Sequence, residues 1–227
     1  MSECGIEKAN DTVLLPYNPD KEYFIEPIQN LPSRPIYNFT KRVFDIVASS
    51  VSLVVLSIPM CIIAIAVKSS SEGPAFYSQD RLGYNGKRTR ITKFRTMVID
   101  AEKDCIRWSM ENDPRVTPLG GILRKYHIDE LPQLWDILRG DMSFVGPRPE
   151  RECYYNAFES YIHGFRERLK VKPGLTGLAQ IKGGSQMPPE EKIVWDVEYI
   201  RTRTFILDLK IIIQTLWPFR GRNNEST

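Results

Sequence analysis

Histidine and cysteine are scarce in this chain of 227 residues: two of the former, His127 and His163, and four of the latter, Cys4, Cys61, Cys105 and Cys153. The cysteines lack metal-site spacing and no HExxH or CxxC occurs, so a zinc centre is not expected. Scattered cysteines, one of them inside an apolar run, make no disulfide framework, which favours a reducing compartment. The pattern gives no support to a Ser-His-Asp triad. A net charge of only +3 is too small to imply nucleic acid as a partner. There is no internal repeat, no low-complexity tract and no secretory signal, since a basic start followed by a short apolar core is missing. After Lys68 no further long apolar run appears. What remains, 42% hydrophobic and 26% charged, is the composition of one folded domain, with or without an appendage.

The first forty residues hold five prolines among many polar side chains and read as an extended, partly ordered arm. KRVFDIVASSVSLVVLSIPMCIIAIAVK follows, with no charge between positions 46 and 67. At about 1.5 Å per residue this run reaches across a bilayer core of about 30 Å. A buried helix in a soluble core is the competing interpretation. Two features argue against a simple span. Pro59, near the middle, removes a helix hydrogen bond, and Ser57 is placed to satisfy a carbonyl freed by the break. Positive residues stand at both ends, Lys41 and Arg42 before and Lys68 after, and positive charge prefers the cytosolic side. A helix that enters, bends and returns suits both, and so does a kinked helix that crosses.

The rest reads as α+β, mainly helical. GPAFYSQDRLGYNGKRTRITKFRTM alternates between Gly breaks and predicts a short β-hairpin or two. Helices are expected over 98–112, 122–126, 131–138 and 152–169, and another beginning at Pro188-Pro189-Glu190-Glu191, where proline and acids suit a helix start. KPGLTGLAQIKGG is too glycine-rich for regular structure and is expected to be a loop built for close backbone approach. TFILDLKIIIQTLWPF, with Lys210, Trp217 and Arg220, is an apolar-faced helix suited to a lipid interface or to the core. Basic residues cluster in DRLGYNGKRTRITKFRTM and GFRERLKVKPG.

The chemistry concentrates in HIDELPQLWDILRGDMSFVGPRPE. Asp129 has two compatible roles. It suits an N-cap for the helix that Pro132 enters. It also suits a nucleophile, because an aspartate can attack phosphorus and a helix start favours phosphate. Glu130 beside it suits Mg2+, which takes one or two carboxylates plus substrate phosphates. Arg148 sits between Pro147 and Pro149, which fix the chain direction, and a guanidinium matches phosphate bidentately. Arg124, Lys93 and Arg95 are the next phosphate candidates, and each alone is more readily a solvated charge than a ligand. Gly83 and Gly86 in RLGYNGK form a weak phosphate-cradle pattern.

KRVFDI, GPAFYSQDRLG, KFRTM, DPRVTPLGGILR, IDELPQLWDILRGDMSFVGPRPE and VKPGLTGLAQIKG occur in that order. Together they resemble the bacterial sugar transferases, the small monotopic phosphoglycosyl transferases, over about residues 39–219. The resemblance implies transfer of a sugar-1-phosphate from a UDP-sugar to a polyprenol phosphate, usually undecaprenyl phosphate, with release of UMP and a need for Mg2+. It makes Asp129 the nucleophile that holds the phosphosugar, in a ping-pong sequence, and Glu130 its metal-binding partner. It places Lys93, Arg95, Arg124, Gln133, Asp141, Pro147, Arg148, Pro149, Lys172, Pro173, Gly174, Thr176, Gly177 and Gln180 in the substrate site. It also implies a re-entrant membrane helix with both ends cytosolic, broken at Ser57 and Pro59, under the inner bacterial membrane's cytoplasmic face. The family's break is often a Ser-Pro dipeptide, whereas Ser57 and Pro59 here flank Ile58.

The expected organisation is a Pro-rich arm (1–38), a re-entrant helix (39–68), a cytosolic catalytic domain with a short hairpin and amphipathic interfacial helices (69–220) and a polar tail (221–227). The chain resembles the short form of the family, without the extra transmembrane helices of larger relatives. A homodimer is compatible with this plan, and no residue pattern demands one. The competing functions are a catalytically silent membrane scaffold for glycan-assembly enzymes and a phosphohydrolase of nucleotide diphosphates. Which sugar is carried, and for which glycan, is not written in the sequence.

Overall fold

The computed structural model describes residues 13–14, 21–103, 106–107, 113–184 and 187–216. In chain order the elements are β1 (Val13–Leu14), β2 (Tyr23–Phe24), α1 (Pro35–Val55), α2 (Ser57–Ser70), β3 (Phe76–Leu82), β4 (Arg88–Phe94), β5 (Ile106–Arg107), α3 (Pro118–Lys125), α4 (Gln133–Arg139), β6 (Ser143–Val145), α5 (Glu152–Glu159), β7 (Ile162–His163), β8 (Gly174–Thr176), α6 (Leu178–Gly183), α7 (Pro189–Thr202) and α8 (Phe205–Leu216). Short 3-10 turns fill Ile128–Glu130 and Phe165–Lys170. The fold is a mixed one in which helix predominates, as expected. Its strands pair two at a time: β3 with β4 antiparallel, and β1 with β5, β2 with β7 and β6 with β8 parallel.

The long apolar run forms α1 and α2, bent by 63° at Leu56. Proline explains the bend. In a continuous helix the Val55 carbonyl would receive the amide of residue 59, and Pro59 has none to give. Ser57 Oγ donates to the Val54 carbonyl at 2.7 Å, which satisfies part of what the break frees. No single helix among the described residues is long and apolar enough to cross a membrane, but this bent pair passes by length and composition. The buried-core alternative does not hold. Only Asp45, Ser49 and Val67 of the pair are buried, while Val54 is 75% and Ile58 72% exposed.

Three apolar clusters hold the fold, and two of them tie the bent pair to the rest. Leu53 and Leu56 pack on Ile91, Leu134, Ile137 and Met142. Met60, Ile63, Ala64 and Val67 pack with Phe94, Leu123, Ile128 and Leu131, which bracket the acidic pair. The largest cluster joins α5, α7, α8 and the Phe165–Lys170 turn. Polar staples reinforce these contacts. Arg42 donates to the carbonyls of Ile137 and Leu138 at 2.8 and 2.7 Å, closing the end of α4. Asp45 accepts from Ser143 Oγ and from the Phe144 amide. At the far end Lys41 reaches Asp208 of α8 at 2.7 Å, beside the hydroxyls of Tyr37 and Tyr199.

Several expectations are corrected. Residues 99–103 are turns instead of the first turns of a helix over 98–112. Asp100 sits at φ 61°, where an α-helix cannot continue, and Ile106–Arg107 is extended against β1. The helix expected over 152–169 ends at Glu159: Ile162–His163 is extended against β2, and Gly164 at φ 94° then turns the chain into the Phe165–Lys170 turn. The expected loop at KPGLTGLAQIKGG is strand β8 followed by α6. Its close-approach logic is correct all the same: a Cβ on Gly146 would collide with the Lys172 carbonyl, and one on Gly174 with the Gly146 amide. Helix α1 begins at Pro35, inside the expected arm, and the arm's described parts include β1 and β2. Most of residues 1–20, Cys4, Cys105, Trp108, residues 109–112, Trp217, Arg220 and the 221–227 tail lie outside the described residues.

Candidate active site

The acidic pair sits in the turn between α3 and α4. His127, in the left-handed region at φ 55°, reverses the chain after α3, and the 3-10 turn places Asp129 and Glu130 side by side. Both are buried, at 7% and 6% exposure. The capping interpretation of Asp129 fails: neither the 3-10 turn nor α4 has a side-chain cap, and Pro132 occupies the N-cap of α4.

Glu130 is locked. Its Oε1 accepts from Lys93 Nζ at 2.6 Å and from Arg148 Nη2 at 2.5 Å, and its Oε2 from Arg148 Nη1 at 3.3 Å. Burial by itself would raise this carboxyl, but Arg148 and Lys93 overcome it and hold Glu130 well below the usual range. Glu130 in turn holds the Arg148 guanidinium firmly charged, while burial pulls the Lys93 ammonium down.

Asp129 is different. Among the described residues no hydrogen-bond donor reaches its carboxylate, and burial raises its pKa, against a downward pull from Lys93, Arg148 and Arg124. Arg124 donates from Nε to Thr96 Oγ1 at 2.8 Å. A buried carboxylate without local donors, ringed by three cations, is suited to meet an anion's electrophilic centre.

The other expected residues divide. Lys93, Glu130 and Arg148 meet directly, and Arg124 acts on Asp129 through its charge. Arg95 does not join them: it donates to the carbonyls of Val67, Ser71 and Glu72 and to Ser71 Oγ, closing the end of α2. Asp141 pairs with Arg139 at 3.5 Å. The Lys172 ammonium approaches Gly140 and Arg42, and Arg42 contributes to lowering its pKa after burial. Pro147, Pro173, Gly174, Thr176 and Gly177 form the frame around the Arg148 segment: Ser143 N donates to Pro173 O, Gly174 N to Pro147 O and Gly146 N to Thr176 O, each at 2.9 Å. A Cβ on Gly177 would strike the Gly146 carbonyl. Thr176 Oγ1 meets Thr215 Oγ1 of α8 at 2.7 Å. Gln180 donates to Leu175 O. Gln133 is buried with Nε2 unpartnered among the described residues, an orphaned donor one turn beyond Asp129. Gly83 and Gly86 belong to the β3–β4 turn, where Gly86 takes φ 76°.

Arg81 is a member the sequence reasoning missed. It donates to Pro149 O at 2.6 Å and approaches Glu150 at 3.6 Å, and the Glu130 carboxylate acts on its charge. The signal was its place in the basic DRLG run, which does not by itself select one cation among many.

No group of three or more His, Cys, Asp or Glu among the described residues is arranged to hold a metal ion. Mg2+ needs fewer: one or two carboxylates suffice when substrate phosphates supply the remaining oxygens. Glu130 Oε2, with a single long contact, and the donor-free Asp129 carboxylate retain that acceptor capacity. The residues fit a cation completed by substrate, not a closed protein cage.

A buried pair of carboxylates with oppositely shifted pKa values, faced by cations, is suited to hold an anionic group. The chain belongs to the bacterial sugar transferase family, whose profile matches residues 36–221. It is 38% identical over 207 residues to UDP-glucose:undecaprenyl-phosphate glucose-1-phosphate transferase of Escherichia coli (strain K12), covering 89% of this chain and 44% of that relative. It is 38% identical over 189 residues to a UDP-N-acetylgalactosamine-undecaprenyl-phosphate N-acetylgalactosaminephosphotransferase of Aeromonas hydrophila, covering 82% and 44%. With the exopolysaccharide production protein ExoY of Rhizobium meliloti (strain 1021) it shares 37% identity over 212 residues, covering 85% of this chain and 91% of that relative. The chain thus spans less than half the length of the first two.

Proposed function

We propose that this protein transfers a sugar-1-phosphate from a UDP-sugar to a polyprenyl phosphate, undecaprenyl phosphate in bacteria, and releases UMP. The observation that carries the proposal is the buried Asp129 carboxylate, which no donor among the described residues reaches, beside a Glu130 pinned by Lys93 and Arg148. In the first half-reaction an Asp129 oxygen attacks the sugar-bearing phosphorus. The bond from that phosphorus to the bridging oxygen of the diphosphate breaks, and UMP leaves with the electron pair. In the second half-reaction a phosphate oxygen of the lipid attacks the same phosphorus, the bond to Asp129 breaks, and the carboxylate is restored. Each half-reaction exchanges one P–O bond for another, so two substrates use one site in turn.

Each residue of the cluster has a physical task. Two anions do not approach without compensation, and Lys93, Arg124 and Arg148 supply positive charge at the attacking carboxylate and the diphosphate. Glu130 holds Lys93 and Arg148 in place, and with Asp129 it would hold Mg2+. The ion, when bound, neutralises diphosphate charge and assists the departure of UMP.

The bent α1–α2 pair supports a re-entrant arrangement. Its outer face is apolar, its inner face packs on the domain, and Lys41 and Lys68 stand near its two ends. On this proposal residues 39–68 dip into one leaflet and residues 69–220 form the catalytic domain at the cytoplasmic face, level with the lipid phosphate. Single cysteines placed near Lys41 and near Lys68 are then both shielded from an external thiol reagent. Labelling of only one from outside means a full crossing.

The test is UMP release by protein in nanodiscs with Mg2+, given a panel of UDP-sugars with and without undecaprenyl phosphate. Sustained release with lipid, at most a stoichiometric burst without it, and loss of both in Asp129→Asn is the expected result. Sustained release without lipid would make the protein a hydrolase, and membrane binding with no release would make it a scaffold.

A further inference from the structure

The Pro147-Arg148-Pro149 segment is fixed chiefly through its main chain. Four successive carbonyls are each taken: Pro147 O by Gly174 N at 2.9 Å, Arg148 O by Arg168 Nη2 at 2.9 Å, Pro149 O by Arg81 Nη1 at 2.6 Å and Glu150 O by Leu82 N at 3.0 Å. Two of these donors are backbone amides and come with the fold. Arg81 lies partly open beside the site. Arg168 is the unusual member, because it is only 1% exposed and belongs to neither carboxylate of the dyad.

Arg168 is set from several sides. Its Nε donates to Asp196 Oδ2 of α7 at 2.6 Å, and Asp196 is itself 1% exposed. Its guanidinium lies 4.8 Å from the ring centroid of Phe165 and 5.8 Å from that of Tyr155. Its Nη1 is buried without a partner among the described residues, so the position is not one that satisfies the side chain best. A buried ion pair stabilises a fold no better than well-packed apolar residues of the same volume. The hydrogen bond this pair sends beyond itself ends on the Arg148 carbonyl. We propose that Arg168, oriented by Asp196, is a positioning residue: it anchors the Arg148 backbone so that the Arg148 guanidinium lies across Glu130. The catalytic consequence rests on the reading of Arg148 given under the proposed function, while the anchoring itself does not.

The informative variant is Arg168→Lys. It keeps a positive charge against Asp196, but one ammonium is a compact point charge and not a fork able to serve both partners. Two readouts are taken on the full chain in nanodiscs. Hydrogen exchange over residues 145–152 is expected to quicken by about tenfold while peptides elsewhere keep the parent rate. In a double-mutant cycle, Arg168→Lys is expected to lower kcat/KM for the donor by about tenfold in the parent, and by less than about twofold in an Arg148→Lys background. Asp196→Ala, which removes the acceptor of Nε, is expected to reproduce both results and serves if Arg168→Lys does not fold. Unchanged exchange over 145–152, or the same fold-loss in both backgrounds, overturns the proposal, because Arg168 would then act on the fold in general. If the parent shows no UMP release, or Arg148→Lys matches the parent, the reading of Arg148 fails instead, and the exchange data alone decide the anchor.

Discussion

Asp129 and Glu130 are neighbours in the chain and almost equally buried, yet their surroundings push them in opposite directions. Glu130 is held by two cations from distant segments and stays ionised far into acid. Asp129 has no donor among the described residues, and burial raises its pKa. Burial alone therefore does not decide what a carboxyl does. The number of donors aimed at it does. One member of the pair organises positive charge, and no donor among the described residues reaches the other.

The sharpest way to break this comparison is to neutralise each carboxyl in turn. Asp129→Asn is expected to reduce UMP release by about a thousandfold or more, measured as initial rate with donor and lipid. Glu130→Gln should leave Lys93 and Arg148 without the carboxylate that both contact. Removing one partner from such a buried pair costs about 3 kcal/mol, read as a lower midpoint in chemical or thermal unfolding. The two substitutions should diverge in stability: Asp129→Asn is expected to stabilise the fold by about 1 kcal/mol, since burial disfavours the Asp129 charge. If both variants lose stability alike, the contrast drawn here is wrong.

The pH dependence carries the same sign difference. The pKa of Glu130 is depressed on folding, so its contribution to stability is present above the unfolded value and disappears as pH falls through the folded value. The pKa of Asp129 is raised, so stability is lost as pH rises from its unfolded towards its folded value. Activity should fall on the acid side as Asp129 protonates, at a higher pH than an ordinary aspartate, in a kcat/KM profile. Asp129→Asn should remove only the second stability effect. Smaller effects are expected at the bent helix pair. Arg95→Ala uncaps α2 and should cost about 2 kcal/mol. Ser57→Ala should cost about 1 kcal/mol or less and leave the bend in place, because the bend follows from the missing amide of Pro59.

The local elements were largely legible in the sequence. Alternation between Gly breaks announced the β3–β4 hairpin, and Pro188-Pro189-Glu190-Glu191 announced α7. What failed depended on distant partners or on a single left-handed residue. Asp100 sits where a helix over 98–112 cannot continue, and Ile162–His163 leaves the expected helix to pair with β2. Residues 174–176 become a strand because Ser143 and Val145, some thirty positions away, offer an edge. At the site, the acidic pair and Arg148 stood out by their local setting. That Lys93 joins Glu130 while Arg95 caps a helix was not legible, since both are cations in one KFRTM run and only the packed chain separates their tasks. Arg168 was hidden for the same reason among the charges of FRERLK.

Lys93 and Arg95 stand two positions apart, one gripping Glu130 and the other the end of α2. Two residues of extended chain span about 6.6 Å. That dipeptide is a short, fixed link between the end of the bent helix pair and the acidic pair. The separation between the end of α2 and Glu130 is therefore a built-in dimension of the molecule. An inserted glycine after Phe94 would detune it without touching any reacting group.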